Sequence, residues 1–253
     1  MRLRDFRAFS FDCYGTLIDW ESGLASALQP LLRKRPELSI DQALAAFAQL
    51  ETRQQANSPA MPYPDILARV YNQLAVQWDL TSAPGESERF GQSIGNWPAF
   101  EDTAESLRIL QQHAKIFILS NVDRASFALS NARLGVTFDG IFTAEDIGAY
   151  KPAVKNFEFM LSRVGEQGIA RHELLHVAQS LYHDHAPANR LGIASAWIDR
   201  RGRPGGATAT APAGIAYTFR FPSLSKLAEA LINDGGSGGD GFVSPSLPCV
   251  GLF

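Results

Sequence analysis

The sequence predicts an α/β fold, a doubly wound parallel sheet interrupted after its first strand by an all-helical insert. Three observations carry this. Short, continuously apolar runs recur from about residue 104 onward, each followed by helical periodicity. Between residues 20 and 96 the apolar residues repeat at helical spacing, with few β-rich runs. Polar residues cluster where the apolar runs stop, which is where an open parallel sheet places its ligands.

The elements follow in order. Residues 6–12 read as a buried strand that stops at Asp12 and turns sharply at Gly15. Residues 23–32 place Leu24, Leu28, Leu31 and Leu32 on one helical face. Ser39 followed by Gln42 is a capping-box signature opening a helix through residues 43–50. Pro62 to Asp65 starts another, with Ile66, Leu67, Val70 and Leu74 on its apolar face and Trp78 one turn on. A further helix follows Pro84, and residues 96–98 close the block. Beyond it, helices are predicted over 104–112, 125–134, 156–164, 185–191 and 225–232. Gly135 and Gly192 are read as helix stops. Strands are predicted over 116–119, 140–143, 174–178 and 194–198, with an edge strand over 216–221. Residues 202–214 read as a surface loop. The division expected is 1–16 with 99–233 as the α/β core, 17–98 as the helical insert, and 234–253 as a flexible Gly- and Ser-rich tail.

Composition excludes several classes. The chain has 253 residues, so it buries roughly 70–75% of its unfolded surface and needs no disulfide or metal staple. A net charge of -3 gives no excess of Lys and Arg for a nucleic-acid footprint. Cys13 and Cys249 are the only cysteines, too few and too far apart for a disulfide framework. The N-terminus lacks the apolar run of a signal peptide, and no segment is long and apolar enough to span a bilayer. A cytoplasmic protein is expected.

Four polar sites fall at predicted strand ends: Asp12 to Thr16, Ser120 with Asn121, Tyr150-Lys151-Pro152, and Gln179 to Asp184. In a doubly wound sheet these ends share one rim, so they converge. Burying an isolated carboxylate is costly unless it is paired, hydrogen-bonded or at work, and carboxylates form covalent ester intermediates. Asp12 therefore reads as a nucleophile. Each site also has a plainer reading. Asp12 caps a turn, Cys13 is a small residue beside it, Ser120, Asn121, His183 and Asp184 cap helices, and Lys151 is a loop lysine.

The four motifs, in this order, resemble those of the haloacid dehalogenase superfamily. Tyr14, two residues after Asp12, resembles the type II (S)-2-haloacid dehalogenase branch. The resemblance spans roughly residues 6–200. It implies a Rossmann-like core with the helical insert as a cap domain. It implies hydrolytic dehalogenation of short 2-haloalkanoic acids to 2-hydroxy acids through an aspartyl ester on Asp12. Lys151 is then the cation beside nucleophile and substrate, and Thr16 orients Asp12. Ser120, Asn121 and the backbone N–H groups of Cys13 and Tyr14 donate hydrogen bonds. Asp184 holds Lys151 or positions water, and His183 is a candidate base. Trp20, Tyr182 and His183 are candidate donors to the halide.

Two positions decide the branch. A superfamily phosphatase has an acidic residue where Tyr14 stands, and it protonates the leaving oxygen. Halide needs no proton to leave. The phosphatases also bind Mg²⁺ with an Asp early in the fourth motif, where Gln179 stands here. No cofactor and no metal are therefore expected. Two positions depart from the dehalogenase pattern. An early cap helix of that branch carries an Arg facing the halide; Ala46 falls there, with Arg53 further along. The fourth motif, from Gln179 to Asp184, is one residue longer than usual. The alternatives are a Mg²⁺-dependent phosphatase of the same superfamily and a non-catalytic binding member. The expected partners are a small 2-haloacid and, at most, a second copy in a homodimer, with no nucleic acid and no membrane.

Overall fold

The computed structural model of the protein describes residues 1–200 and 214–234. The loop expected over 202–214, except Gly214, and the tail after Asp234 lie outside the described residues, as does Cys249. Strand β1 (Ala8–Phe11) is followed by five helices: α1 (Trp20–Ala27), α2 (Gln29–Leu32), α3 (Ile40–Asn57), α4 (Tyr63–Gln77) and α5 (Glu86–Gly91). The chain then alternates through α6 (Thr103–Gln111), β2 (Lys115–Ser120), α7 (Arg124–Leu134), β3 (Gly140–Thr143), α8 (Ala144–Ile147), α9 (Val154–Gly165) and β4 (Leu174–Ala178). It ends with α10 (Ala186–Arg190), β5 (Ala194–Ile198), β6 (Phe219–Phe221) and α11 (Leu224–Asn233). Among the described residues no helix is long and apolar enough to cross a membrane.

The six strands form one parallel sheet in the order β3-β2-β1-β4-β5-β6. The chain winds outward from β1 in one direction and then from β4 in the other. The switch lies between β1 and β4, whose C-terminal ends are neighbours, and a crevice opens at such a point. Period-two alternation sorts the strand residues onto two faces. Phe9, Phe11, Ile116, Ile118, Leu175 and Val177 pack with Leu107, Leu110, Leu224 and Leu227. Ala8, Phe117, Leu119 and Leu174 pack with Phe157, Met160 and Val164.

Local chemistry explains where elements begin and end. Ser39 and Gln42 close the expected capping box, with Gln42 N donating to Ser39 Oγ at 3.2 Å and Ser39 N to Gln42 Oε1 at 2.9 Å. The helix expected over 23–32 is instead two helices, because Pro30 lacks an N–H and crowds the preceding turn; it sits in the first turn of α2. Helix α8 was not expected, although Thr143 and Asp146 form a second capping box. The helix expected from residue 185 begins at Ala186, after a π-helical turn over Leu181–His185. The edge strand is shorter than the run 216–221.

The helical block packs through aromatic side chains. Trp97 meets Tyr14 edge-on at 5.6 Å and Tyr63 at 6.5 Å. Gly23 makes this possible, since a Cβ there would lie 2.3 Å from Trp97 Cγ. In an open helix, Gly→Ala gains up to about 1 kcal/mol. Here Gly23→Ala is expected to reverse that sign and cost about 1–3 kcal/mol by overpacking. A lower thermal midpoint checks it, and an unchanged one would mean Trp97 moves aside.

Candidate active site

Asp12 is the first residue past β1, and its N–H still donates to Val177 O of β4 at 3.1 Å. That ladder bond fixes the carboxylate at the lip of the sheet, where it is only 7% exposed. The chain then turns at Gly15, whose φ of +94° lies where side chains are strained. A Cβ there would also crowd Trp20 Nε1 and Gln179 Oε1. The turn returns Thr16, whose hydroxyl donates to Asp12 Oδ2 at 2.7 Å and accepts from Gln179 N at 2.9 Å. One buried hydroxyl thus ties the loops after β1 and β4 together.

Lys151 arrives from the loop before α9. Its Nζ donates to Asp12 Oδ1 at 2.8 Å, Asp184 Oδ1 at 2.7 Å and Leu119 O at 3.0 Å. All three ammonium protons are therefore used. Asn121 pins the lysine backbone from both sides, accepting from Lys151 N at 2.6 Å and donating to Lys151 O at 3.1 Å. Asp184 comes from the π-helical turn. Such a turn takes up one residue more than an α turn, which accommodates the extra residue of the fourth motif. Asp184 Oδ1 also meets His176 Nε2 at 2.9 Å, and His176 Nδ1 meets Ser10 Oγ at 2.9 Å. A buried polar chain therefore runs Ser10, His176, Asp184, Lys151, Asp12 beneath the site.

The electrostatics follow from burial and this chain. Burial pushes the Asp12 carboxyl up, and the Asp184 charge adds to this; Lys151 and Thr16 pull it back only in part. Burial also acts to raise Asp184, but there Lys151 and His176 more than offset it and hold the carboxyl below the usual range. Burial alone would lower Lys151; its two carboxylates instead keep it charged above its ordinary value. Burial pushes His183 down to about 4, so it is neutral at pH 7. The Tyr14 phenol rises well above 10 through burial, and its hydroxyl is held by Ser130 Oγ at 2.8 Å.

A cavity of about 70 Å³ opens on this cluster. The sheet side of its wall includes Asp12, Tyr14, Asn121, Lys151, His183 and Asp184, and the helical block adds Trp20, Glu51, Thr52, Gln55 and Tyr63. Several sequence-predicted residues thus meet there. Others do not line it. Cys13 is buried in the hydrophobic core. Thr16 acts on Asp12 from below, and Ser120 Oγ is buried without a partner. Tyr182 packs edge-on against His183 at 5.0 Å. Neither Ala46 nor the exposed Arg53 lines the cavity.

The sequence reading missed four contributors. Ser10 and His176 face each other across β1 and β4, and their signal is a polar residue interrupting each of two apolar strands. Arg200 donates to Thr16 O at 2.8 Å and Asp102 Oδ1 at 2.7 Å, with its guanidinium 3.9 Å above the Phe100 ring. It braces the loop that carries Asp12 from outside. Glu51 looked like one polar position among many on α3.

A divalent metal fits poorly here. The two converging carboxylates are already bridged by an ammonium, and Gln179 offers no charge. Among the described residues no group of three or more His, Cys, Asp or Glu side chains is arranged to hold a metal ion.

A parallel sheet with a helical insertion and a buried Asp–Lys centre at its switch point is the architecture of a haloacid dehalogenase-like hydrolase. The chain belongs to the haloacid dehalogenase-like hydrolase family, whose model matches residues 6–178. It is similar to (S)-2-haloacid dehalogenase 4A of Burkholderia cepacia, with 27% identity over 211 residues, 78% of this chain and 85% of that one. A pyrimidine 5'-nucleotidase of Escherichia coli is 28% identical over 127 residues, 49% of this chain and 53% of that one. The crystal structure of L-2-haloacid dehalogenase from Xanthobacter autotrophicus shares the fold, with a TM-score of 0.74, 18% identity and coverage of 92% of this chain and 100% of that one.

Proposed function

We propose that this hydrolase releases halide from short 2-haloalkanoic acids. The observation that carries the reading is the Lys151 ammonium bridging Asp12 and Asp184. A cation fixed in this way opposes the effect of burial on Asp12 and favours its anionic, nucleophilic form. The other support is Tyr14. With its hydroxyl tied to Ser130, it supplies no proton to a leaving alcohol. Halide needs none.

In the first step an Asp12 carboxylate oxygen attacks the halogen-bearing carbon. The carbon–halogen bond breaks, and halide departs with the electron pair. In the second step water attacks the Asp12 carboxyl carbon, gives up a proton, and frees a 2-hydroxy acid that keeps an Asp12 oxygen. His183 is neutral and lines the cavity, so it can take that proton. Asp184 Oδ2, buried without a partner, is an open acceptor for the water.

Halide release from these two acids, measured in EDTA, tests the reading. Release without metal is expected. The likeness to a nucleotidase motivates a parallel arm with an aryl phosphate and Mg²⁺. Phosphate release there, with no halide release, would overturn the dehalogenase reading in favour of a phosphatase.

A further inference from the structure

The cavity wall supplied by α3 is acidic. Ala48, Glu51, Thr52 and Gln55 recur at spacings of three and four, form one stripe of the helix, and all line the cavity. Tyr63 donates to Glu51 Oε1 at 2.6 Å. Glu51 Oε2 has no hydrogen-bond partner among the described residues.

The opposite wall cannot balance this charge. Among the described residues Lys151 is the one cation lining the cavity, and both Asp12 and Asp184 already engage it. One ammonium against two carboxylates leaves an excess negative charge before Glu51 is counted. Among the described residues, the remaining titratable groups that line the cavity add no positive charge at pH 7, and the arginines nearby point to solvent. His183 is neutral there. Tyr63 stands beside Glu51, with Tyr14 and Tyr150 acting on Tyr63 in turn. On α4, Asp65 and Arg69 are exposed, and Tyr71 is tied to Glu86. Packed against α3, α1 brings only Glu21. Arg53 on α3 is exposed. Half-buried at its surface but closely surrounded by protein, the Glu51 carboxyl is pushed up to about 7 by burial, with the Tyr63 hydrogen bond opposing.

We propose that Glu51 is a specificity-determining residue that selects ligands by charge: ionised, it excludes a carboxylate from the cavity, and protonated, it donates a hydrogen bond to one. The choice of a short carboxylate as ligand rests on the 2-haloacid reading. A neutral ligand of the same size is indifferent to the switch. The consequence for turnover is a KM for 2-haloacids that rises from weakly acidic to weakly alkaline solution.

The test is equilibrium binding of propionate and propionamide by calorimetry, on the wild type and Glu51→Gln, at about pH 6, 7 and 8. A carboxyl held near 7 is mostly protonated at the acid end and mostly ionised at the other, so the propionate Kd is expected to rise several-fold, up to about tenfold. The propionamide Kd is expected to stay constant. In Glu51→Gln, which keeps an acceptor for Tyr63 and carries no charge, the propionate Kd is expected to be flat. A flat propionate Kd in the wild type, no propionate binding at any pH, or a dependence that survives in Glu51→Gln each overturns the proposal. Neither ligand carries a halogen, so the result is separate from halide release, which alone judges the dehalogenase reading.

Discussion

Asp12→Asn is expected to lower halide release from 2-chloropropionate by about 10⁴-fold or more, the scale seen when a covalent nucleophile is removed. The same variant is expected to melt at or above the wild-type temperature. These outcomes have one cause. Asp12 sits where burial and the Asp184 charge oppose its ionisation. A carboxyl whose folded pKa is raised binds its proton more tightly in the native state, so above its ordinary pKa its ionisation favours unfolding. An amide removes that opposition, keeps the size of the side chain, and leaves Lys151 paired with Asp184. Halide release and a thermal melt on one preparation check the split. Activity within tenfold of wild type would sink the nucleophile assignment. Lost activity with a much lower melting temperature would mean that Asp12 is chiefly structural.

Lys151→Met is expected to lose both activity and stability. Removing the ammonium leaves two carboxylates in a site where each is almost fully buried and, among the described residues, no other cation lines the cavity. Breaking a buried ion pair from one side costs about 3–5 kcal/mol, because the surviving charge has nothing to balance it. Here two charges survive. Adding Asp184→Asn to Lys151→Met is therefore expected to restore part of the stability and none of the activity. Denaturant unfolding of wild type, both single variants and the double variant gives the coupling energy. Stabilities that simply add would show that Lys151 and Asp184 do not act as a unit.

The fold was readable because strand ends announce themselves chemically. Apolar runs that stop at Asp12, Ser120 and Gln179 put their polar residues on one rim once the sheet is parallel. Helix starts were equally legible where a cap was present, as at Ser39. Pro30 split a helix that apolar spacing alone ran through. The π-helical turn left no periodic trace, since five residues are too few to show a period, yet the odd spacing before Asp184 was its shadow. Asp12, Asn121, Lys151 and Asp184 were found from motif order. Glu51 and Arg200 were not, because a charged residue on a helix or in a loop looks solvated until the tertiary contact is known.

Tyr14, Tyr63 and Trp97 pack together across the seam between sheet and insert, and one apolar cluster runs through it from Val177 to Leu74. The helices are therefore not a detachable cassette. Transplanting a relative's insert onto this core, in the hope of moving its substrate range, would also have to carry over the partner of Gly23 and the rings around Tyr14. Swaps confined to Thr52 and Gln55, with Glu51 changed only to a residue that still accepts from Tyr63, leave that seam intact and are the more economical route to a redesigned pocket.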